Sequence, residues 1–340
     1  MNLRKCVQHE VALMKALLSR RCGGPETLVM ADVPEPLPAG GQVRIAVRAC
    51  GINYPDVLMI EDKYQFRPER PFSPGVEISG VIDSVAEDVA GFELGQRVMA
   101  SIPCGGLAER VCAAAARCIA IPDDLPFDMA AAFQVTYGTA YHALVDRGAL
   151  KSGETLLVLG ASGGVGLAAV ELGRASGARV LAAVSSAEKA EVALRHGATD
   201  ALVYPESPDN PKELAAKFKG LCSGAADVIF DPIGGSYAEP ALRSISWGGR
   251  HLVIGFAAGI PSVPLNLTLL KGCSIVGVFW GAWVDRCPDA HHRNTQDLIS
   301  LFQRGLIRPW VSGHFPLERG GEAIRQLADR RASGKLVVLI

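Results

Sequence analysis

The sequence predicts an α/β protein in which a β-rich, partly closed barrel domain accompanies a doubly wound parallel sheet. Residues 14–130 contain short alternating or apolar runs divided by Pro and Gly turns, which is the texture of a barrel. Residues 151–278 instead alternate apolar strands with helical segments, the order that builds a parallel sheet. At 340 residues the chain is also longer than one comfortable core. The predicted division is residues 1–13 as an N-terminal extension, 14–134 with 280–340 as the barrel domain, and 135–279 as the parallel-sheet domain inserted into it.

Taken in order, the first domain places strands at 15–19, 43–49, 78–85, 97–100 and 118–121, and the alanine-rich stretch 130–145 reads as a helix. In the second domain, strands fall at 156–159, 179–184, 201–203, 227–230, 249–254 and 273–278. Helices are expected near 165–176, 187–196, 211–221 and 237–245, then at 297–305 and 320–333. An apolar strand at 335–340 closes the chain.

With 49% hydrophobic residues and a formal net charge of -1, the composition is that of a globular protein without a basic stripe for nucleic acid. No apolar run is long enough to span a membrane, so neither nucleic acid nor membrane is an expected partner. The nine cysteines form no CxxC pair, and their scatter points to reduced thiols in a cytoplasmic setting. The charged first thirteen residues lack the apolar core of a secretion signal and read as an upstream start.

One stretch carries chemistry: Leu156-Leu-Val-Leu-Gly160-Ala161-Ser162-Gly163-Gly164-Val165-Gly166. A short buried strand runs without a gap into a Gly, Ala and Ser turn and then into a helix of small residues. That arrangement seats a dinucleotide pyrophosphate on bare N–H groups at the positive end of a helix dipole. The spacing departs from G-x-G-x-x-G in placing Ala161 first. A binder of NAD usually carries an acid at the end of the next strand to hold the ribose 2′-OH. Here that strand ends in Ser185, followed by Ser186, Ala187, Glu188 and Lys189. A hydroxyl with an ammonium nearby receives a 2′-phosphate that a carboxylate would repel, so NADPH is the expected cofactor. Glu188 dissents, although an acid in a first helical turn is also favoured by the dipole. Lys189 has the alternative of being an ordinary solvated lysine.

Several further patterns occur in a fixed order. Ala49-Cys-Gly-Ile-Asn53-Tyr-Pro-Asp56 is followed by Phe72-Ser-Pro-Gly75-Val-Glu77-Ile-Ser-Gly80 and by Gly91-Phe-Glu-Leu-Gly95-Gln-Arg97. The glycine turn, Gly197-Ala198-Thr199-Asp200 before Tyr204, and Asp231-Pro-Ile-Gly234-Gly235 come after them. Together they resemble the medium-chain dehydrogenase/reductase superfamily and, in joining Gly-Ile-Asn to Ala-Ser-Gly-Gly-Val-Gly, its zinc-free quinone oxidoreductase branch, the zeta-crystallin-like proteins. The resemblance runs from Met14 to the C-terminus. It implies a GroES-like β-barrel domain plus a Rossmann doubly wound parallel-sheet domain, NADPH, and a homodimer or homotetramer. Ala161 matches the form of the turn this branch uses.

The departures from the zinc enzymes of the superfamily are informative. Where they place Cys and His ligands, this chain has Asn53 and Val76, and their structural-zinc lobe is reduced to Cys104. A catalytic zinc needs three protein ligands and a structural zinc four, so no metal is expected. The adjacent His291 and His292 read as polar surface.

The resemblance also implies roles for individual residues. Asn53 stands where the ligand would face the nicotinamide, and its amide would donate to a developing oxyanion. Asp56 anchors that loop or caps the following helix. Thr136 lies by the carboxamide or bonds its own backbone. Tyr204 is placed near the adenine, Gly255 and Phe256 in a contacting loop, Phe279 at the nicotinamide side, and Lys335 on the returning tail. Core packing competes for Phe256 and Phe279. Leu58, Tyr64, Phe133 and the 280–283 stretch are expected to line the substrate pocket.

The function implied is an NADPH:quinone oxidoreductase acting on a small quinone or enone. Tyr64 also permits a 2-enoyl-CoA or acyl-carrier-protein reductase, in which it would donate a proton; Lys63, Arg67 and Arg70 would then form a basic fringe against Glu69. A non-enzymatic NADPH-binding protein is the remaining alternative. The apolar 273–280 strand, at a sheet edge, is the expected place for a second subunit to pair.

Overall fold

The computed structural model describes residues 12–205, 207, 208 and 210–340, so the extension expected at the N-terminus lies outside the described residues as far as residue 11. The chain divides into two compact units. One runs to Ala131 and adds Gly313–Arg331 and Leu336–Ile340; the other comprises Ala132–Ser312 and Ala332–Lys335. The stretch 280–312, placed with the barrel from sequence, therefore belongs to the second unit. Its aromatic side chains explain this: the Trp280 ring lies 2.9 Å from where a Cβ on Gly138 would stand. Phe302 also meets the Phe133 ring edge-on at 6.4 Å, and the Tyr141 hydroxyl donates to Asp297 at 2.9 Å.

In the first unit, β1 (Leu13–Ser19) and β2 (Leu28–Pro34) form an antiparallel hairpin. The remaining strands are β3 (Gln42–Gly51), β4 (Glu77–Val85), β5 (Arg97–Ser101), β6 (Arg110–Ala114) and β7 (Cys118–Ala120). Val43, Ile45, Val47 and Ala49 on β3 are all buried, the two-residue period of a strand with one face on a core. The helix that Asp56 was expected to cap, Tyr54–Ile60, follows β3, with Asn53 at its N-cap, a proline in its first turn and Asp56 inside that turn.

The second unit holds β8 (Thr155–Leu159), β9 (Arg179–Val184), β10 (Asp200–Val203), β11 (Ala226–Asp231), β12 (Ile245–Val253) and β13 (Ser274–Gly277). They are parallel, in the order β10-β9-β8-β11-β12-β13. This is the Rossmann arrangement, whose strand order reverses between β8 and β11, where ligands bind at the carboxyl ends. Leu156 to Leu159 are fully buried, as strands covered on both faces must be. Helices Gly164–Ala175, Ala187–Arg195 and Pro211–Leu221 lie close to their expected positions. Most of the helix expected over 130–145 is present: after Phe127–Ala130 and a turn, one continuous helical run extends from Gln134 to Arg147, α at Thr139–Tyr141 and widened to π-helical turns at Gln134–Gly138 and His142–Arg147. The expected 273–280 strand is shorter, because Trp280 begins the helix Trp280–Arg286 and buries its ring.

The tail supplies β14 (Val311–Pro316) and β15 (Lys335–Leu339), and the latter pairs antiparallel with β3 to complete the seven-stranded sheet of the first unit. Among the described residues no helix is long and apolar enough to cross a membrane, and the described cysteines are all free thiols.

Candidate functional site

The carboxyl end of β8 turns at Gly160, whose φ of +59° only glycine adopts readily. Gly166 is demanded by space, since a Cβ there would stand 2.3 Å from the Gly160 carbonyl oxygen. Close approach between turn and helix follows, with Gly163 as the N-cap of Gly164–Ala175. Gly164, Val165 and Gly166 occupy the first helical turn, whose N–H groups have no partner four residues back and face the positive end of the dipole. Ala161 and Ser162 are buried beneath the turn.

Two elements the sequence did not connect brace this cradle. Ile233, from the loop after β11, reaches within 2.6 Å of the position a Gly160 Cβ would take. On the other side the Gly334 N–H donates to the Ser162 carbonyl at 2.7 Å, laying the returning tail along the turn. The stem of Lys335 comes within 2.9 Å of a Cβ built on Gly164, and the Thr136 methyl within 3.1 Å. Lys335, itself buried, thus lays its aliphatic stem along the first turn of that helix. The Thr136 hydroxyl donates to the Ala132 carbonyl at 2.7 Å, so its hydrogen serves the backbone and only its oxygen remains for a ligand.

At the end of β9 the Lys189 ammonium donates to the Ser185 hydroxyl at 3.1 Å. Ser186 caps the helix Ala187–Arg195 by accepting from the Lys189 N–H. A hydrogen bond from Ser186 holds the exposed Glu188 carboxyl below its ordinary value. Glu188 is therefore an ionised first-turn acid tied to its own cap, which is the structural of its two readings. Tyr204 follows β10 and is buried, its ring 4.7 Å from that of Tyr237. Phe256 is 46% and Phe279 59% exposed, so core packing explains neither. Gly255 holds the Phe256 loop to β11 through the Asp231 carbonyl.

In the first unit Asn53 is buried, but its amide is not an uncommitted donor. Nδ2 donates to the Gly51 carbonyl at 3.0 Å and to the Glu77 carboxylate at 2.9 Å, which uses both hydrogens. In this arrangement the side chain is a strut between β3 and β4, and the expected oxyanion role would need one of these two hydrogen bonds to open. Glu77, fully buried at the start of β4, had no assigned role; an acid opening a buried strand was the signal that it must have a partner. Asp56 is fully buried too and accepts from the Asn53 N–H at 2.8 Å and the Gly75 N–H at 2.9 Å, so it anchors the loop as well as belonging to the helix.

Tyr64 contrasts with these. It is half-buried, and among the described residues no hydrogen bond to its hydroxyl occurs. Burial, and secondarily the negative charge of Asp56, raise its phenol above the usual value, so it stays protonated and able to donate throughout the neutral range. The basic fringe around it is largely neutralised, Lys63 bonding Glu61 at 2.7 Å and Arg70 bonding Asp62 at 2.8 Å. Phe133 is fully buried and stacked on Tyr137, and Trp280 is buried as well.

The positions at which the resemblance places two zinc ligands hold Asn53 and Val76, and among the described residues no group of three or more His, Cys, Asp or Glu could hold a metal ion. His291 is not polar surface but buried, its ring edge-on to Trp280 and Trp283 at 5.6 and 6.4 Å.

Known proteins with the same arrangement are close enough to be informative. A zinc-binding dehydrogenase family model matches residues 164–298, and an alcohol dehydrogenase GroES-like domain model matches residues 39–123. A quinone oxidoreductase-like protein 2 homolog of Nematostella vectensis is 38% identical over 302 residues, covering 87% of this chain and 81% of that protein. The crystal structure of a probable oxidoreductase from Mycobacterium abscessus is 35% identical with a TM-score of 0.88, covering 97% of this chain and 100% of that one. The quinone oxidoreductase of Thermus thermophilus, solved also in complex with NADPH, is 35% identical with a TM-score of 0.83, covering 96% and 100%.

Proposed function

The chain belongs to the quinone oxidoreductase branch of the medium-chain dehydrogenase/reductase superfamily, and from that premise we propose that it is a zinc-independent, NADPH-dependent reductase of quinones or related conjugated carbonyls. The observation that carries this reading is the Ser185–Lys189 pair at the end of β9, a hydroxyl and an ammonium where an NAD binder keeps a carboxylate. NADPH, when bound, supplies the hydride from nicotinamide C4.

The protein's part is binding and proton handling. The first-turn N–H groups of Gly164, Val165 and Gly166 hold the pyrophosphate, with the Lys335 ammonium as counter-charge. Ser185 and Lys189 hold the 2′-phosphate, and Tyr204 flanks the adenine. Tyr64 is the donor to the substrate, because its proton is uncommitted while those of Asn53 are spent. A quinone takes this proton on oxygen. The same availability supports a second reading, reduction of a 2-enoyl thioester with Tyr64 protonating the α-carbon, although the paired Lys63 and Arg70 weaken a phosphate-binding fringe.

The deciding experiment follows oxidation of NADPH and of NADH against 1,4-benzoquinone, 9,10-phenanthrenequinone, an enone and crotonyl-CoA, with wild type and Tyr64→Phe. The expected result is turnover of quinones with NADPH preferred by roughly tenfold or more in kcat/KM, the worth of a charge-assisted phosphate contact. Preference for NADH sinks the Ser185–Lys189 assignment. Turnover of crotonyl-CoA alone, lost in Tyr64→Phe, replaces the quinone reading with the thioester one.

The subunit arrangement we infer is a homodimer, or a tetramer built from it, paired along β13, the edge of the parallel sheet. Trp247, Leu269 and Leu270 stand exposed around that edge, an apolar surface large for a solitary chain. Light scattering that returns a monomer mass refutes it.

A further inference from the structure

Asp231 ends β11, and His251 lies on β12 two residues before Val253, the strand partner of Asp231. Both are buried, with His251 Nε2 at 3.0 Å from Asp231 Oδ2. The other carboxylate oxygen, Oδ1, accepts from the N–H groups of Ile233 and Gly234 at 2.9 and 2.8 Å. With two backbone donors on one oxygen the group acts as a carboxylate, which only accepts, so the proton on Nε2 belongs to the imidazole. Among the described residues Nδ1 has no hydrogen-bond partner, and Asp231 is the ring's one polar contact. A buried carboxylate is tolerated only when its lone pairs are satisfied, and His251 supplies the donor that the turn cannot.

What this pair supports is a double loop. The Asp231 carbonyl accepts from the Ile254 and Gly255 N–H groups at 2.9 and 3.4 Å. Farther out, the Ala257 N–H donates to Pro232 at 3.3 Å, Ala258 to Ile233 at 2.7 Å, and Gly235 to Gly259 at 2.7 Å. The loops after β11 and β12 are thus laced together along their length, with Asp231 and His251 at the base. One member of the lacing, Ile233, packs on Gly160 of the phosphate turn, and another, Phe256, presents an exposed ring.

We propose that His251 is a positioning residue for the dinucleotide: by donating to Asp231 it fixes the double loop that sets Ile233 against the glycine turn and presents Phe256 to the cofactor. The role rests on the NADPH reading above, because the residues it places are those of that site. His251 touches neither cofactor nor substrate and acts only through Asp231.

Three substitutions separate this role from simple core filling. In Gln the amide nitrogen lies as many bonds from Cβ as Nε2 does in His, so His251→Gln keeps the donor. In Asn the nitrogen falls at the Nδ1 position, where there is nothing to bond, and Leu has none. Two measurements are made on each purified variant: amide hydrogen exchange of the cofactor-free protein across 231–235 and 254–259, and NADPH affinity by fluorescence titration with the KM for NADPH and for quinone. The expected result is that Leu and Asn speed exchange in both loops and raise the NADPH Kd and KM about tenfold, the value of one hydrogen bond to a charged group. The quinone KM stays within about twofold, and Gln returns both readouts close to wild type. If Leu matches or exceeds Gln, the site is packing and the inference is overturned; unchanged exchange in all three variants overturns it equally, whatever NADPH does. If exchange follows the expected order but wild type binds no NADPH, the cofactor reading fails and takes the positioning role with it.

Discussion

The phosphate turn of the second unit and the loop around Asn53 in the first are both short, buried and rich in hydrogen bonds, yet they are made of different material. The turn is backbone: Gly160 supplies a positive φ, Gly166 a close approach, and Gly164, Val165 and Gly166 the first-turn N–H groups of the helix, the surface proposed for the pyrophosphate. The Asn53 loop is side chain: Asn53, Asp56 and Glu77 satisfy one another, Gly51 and Gly75 across β3, β4 and the helix between them. A backbone site keeps its donors free because secondary structure leaves them over. A side-chain network consumes its donors in building itself, so the polar residues most conspicuous in it are the least available to a ligand. In the first unit the available group is Tyr64, which stands outside the network.

The sharpest way to break that contrast is at Gly166. An alanine Cβ would meet the Gly160 carbonyl oxygen at 2.3 Å, well inside van der Waals contact and against backbone that has no other rotamer to take. Turn and helix must separate, and the phosphate N–H groups diverge with them. Gly166→Ala is expected to lower NADPH affinity by on the order of a hundredfold, equivalent to about 3 kcal/mol, by fluorescence titration. Gly163→Ala is the control, because a Cβ there meets protein only at an ordinary 3.5 Å. Stability in urea should fall for the first and not for the second. Unimpaired NADPH binding by Gly166→Ala would mean that the turn is merely structural.

How far each region could be read from sequence follows the same division. The glycine turn, β8, β9 and the helices after them were legible because glycine spacing and apolar runs are local signals, and a parallel strand buried on both faces shows them plainly. The strand at β2 was not, because every second or third residue of Leu28–Pro34 is exposed at a sheet margin. The wide turns within the 134–147 helical run were not legible, nor was the contact beside them, the Trp280 ring packed on Gly138 from a segment far along the chain. The same long-range contacts moved residues 280–312 into the second unit. At the site, Asn53 was visible but its hydrogen-bond partners were not, since nothing local announces that Glu77, 24 positions on, accepts one of its protons. The Ile233 brace and the Gly334 strap were equally out of reach, being contacts between loops distant in sequence.

Asn53→Ala tests the other side of the comparison, with a smaller effect of a different kind. If Asn53 is a strut, its removal leaves the fully buried Glu77 carboxylate and the Gly51 carbonyl each short of one donor. Leaving a buried acceptor unsatisfied costs about 1–3 kcal/mol, so the urea unfolding free energy should fall by about 2 kcal/mol with the slope unchanged. Asn53→Asp should be worse, because a second buried acid would then face Glu77 without a hydrogen between them. Quinone turnover at saturating NADPH should fall less in Asn53→Ala than in Tyr64→Phe, which removes the proposed donor and leaves stability near wild type, since among the described residues the Tyr64 hydroxyl has no hydrogen bond to break. The reverse pattern, Asn53→Ala stable but inactive and Tyr64→Phe active on every substrate, would restore the amide as the group that meets the substrate. It would require the two Nδ2 hydrogen bonds to open when substrate arrives, at the same cost of about 2 kcal/mol, and that cost is the reason to expect Tyr64 to be the donor instead.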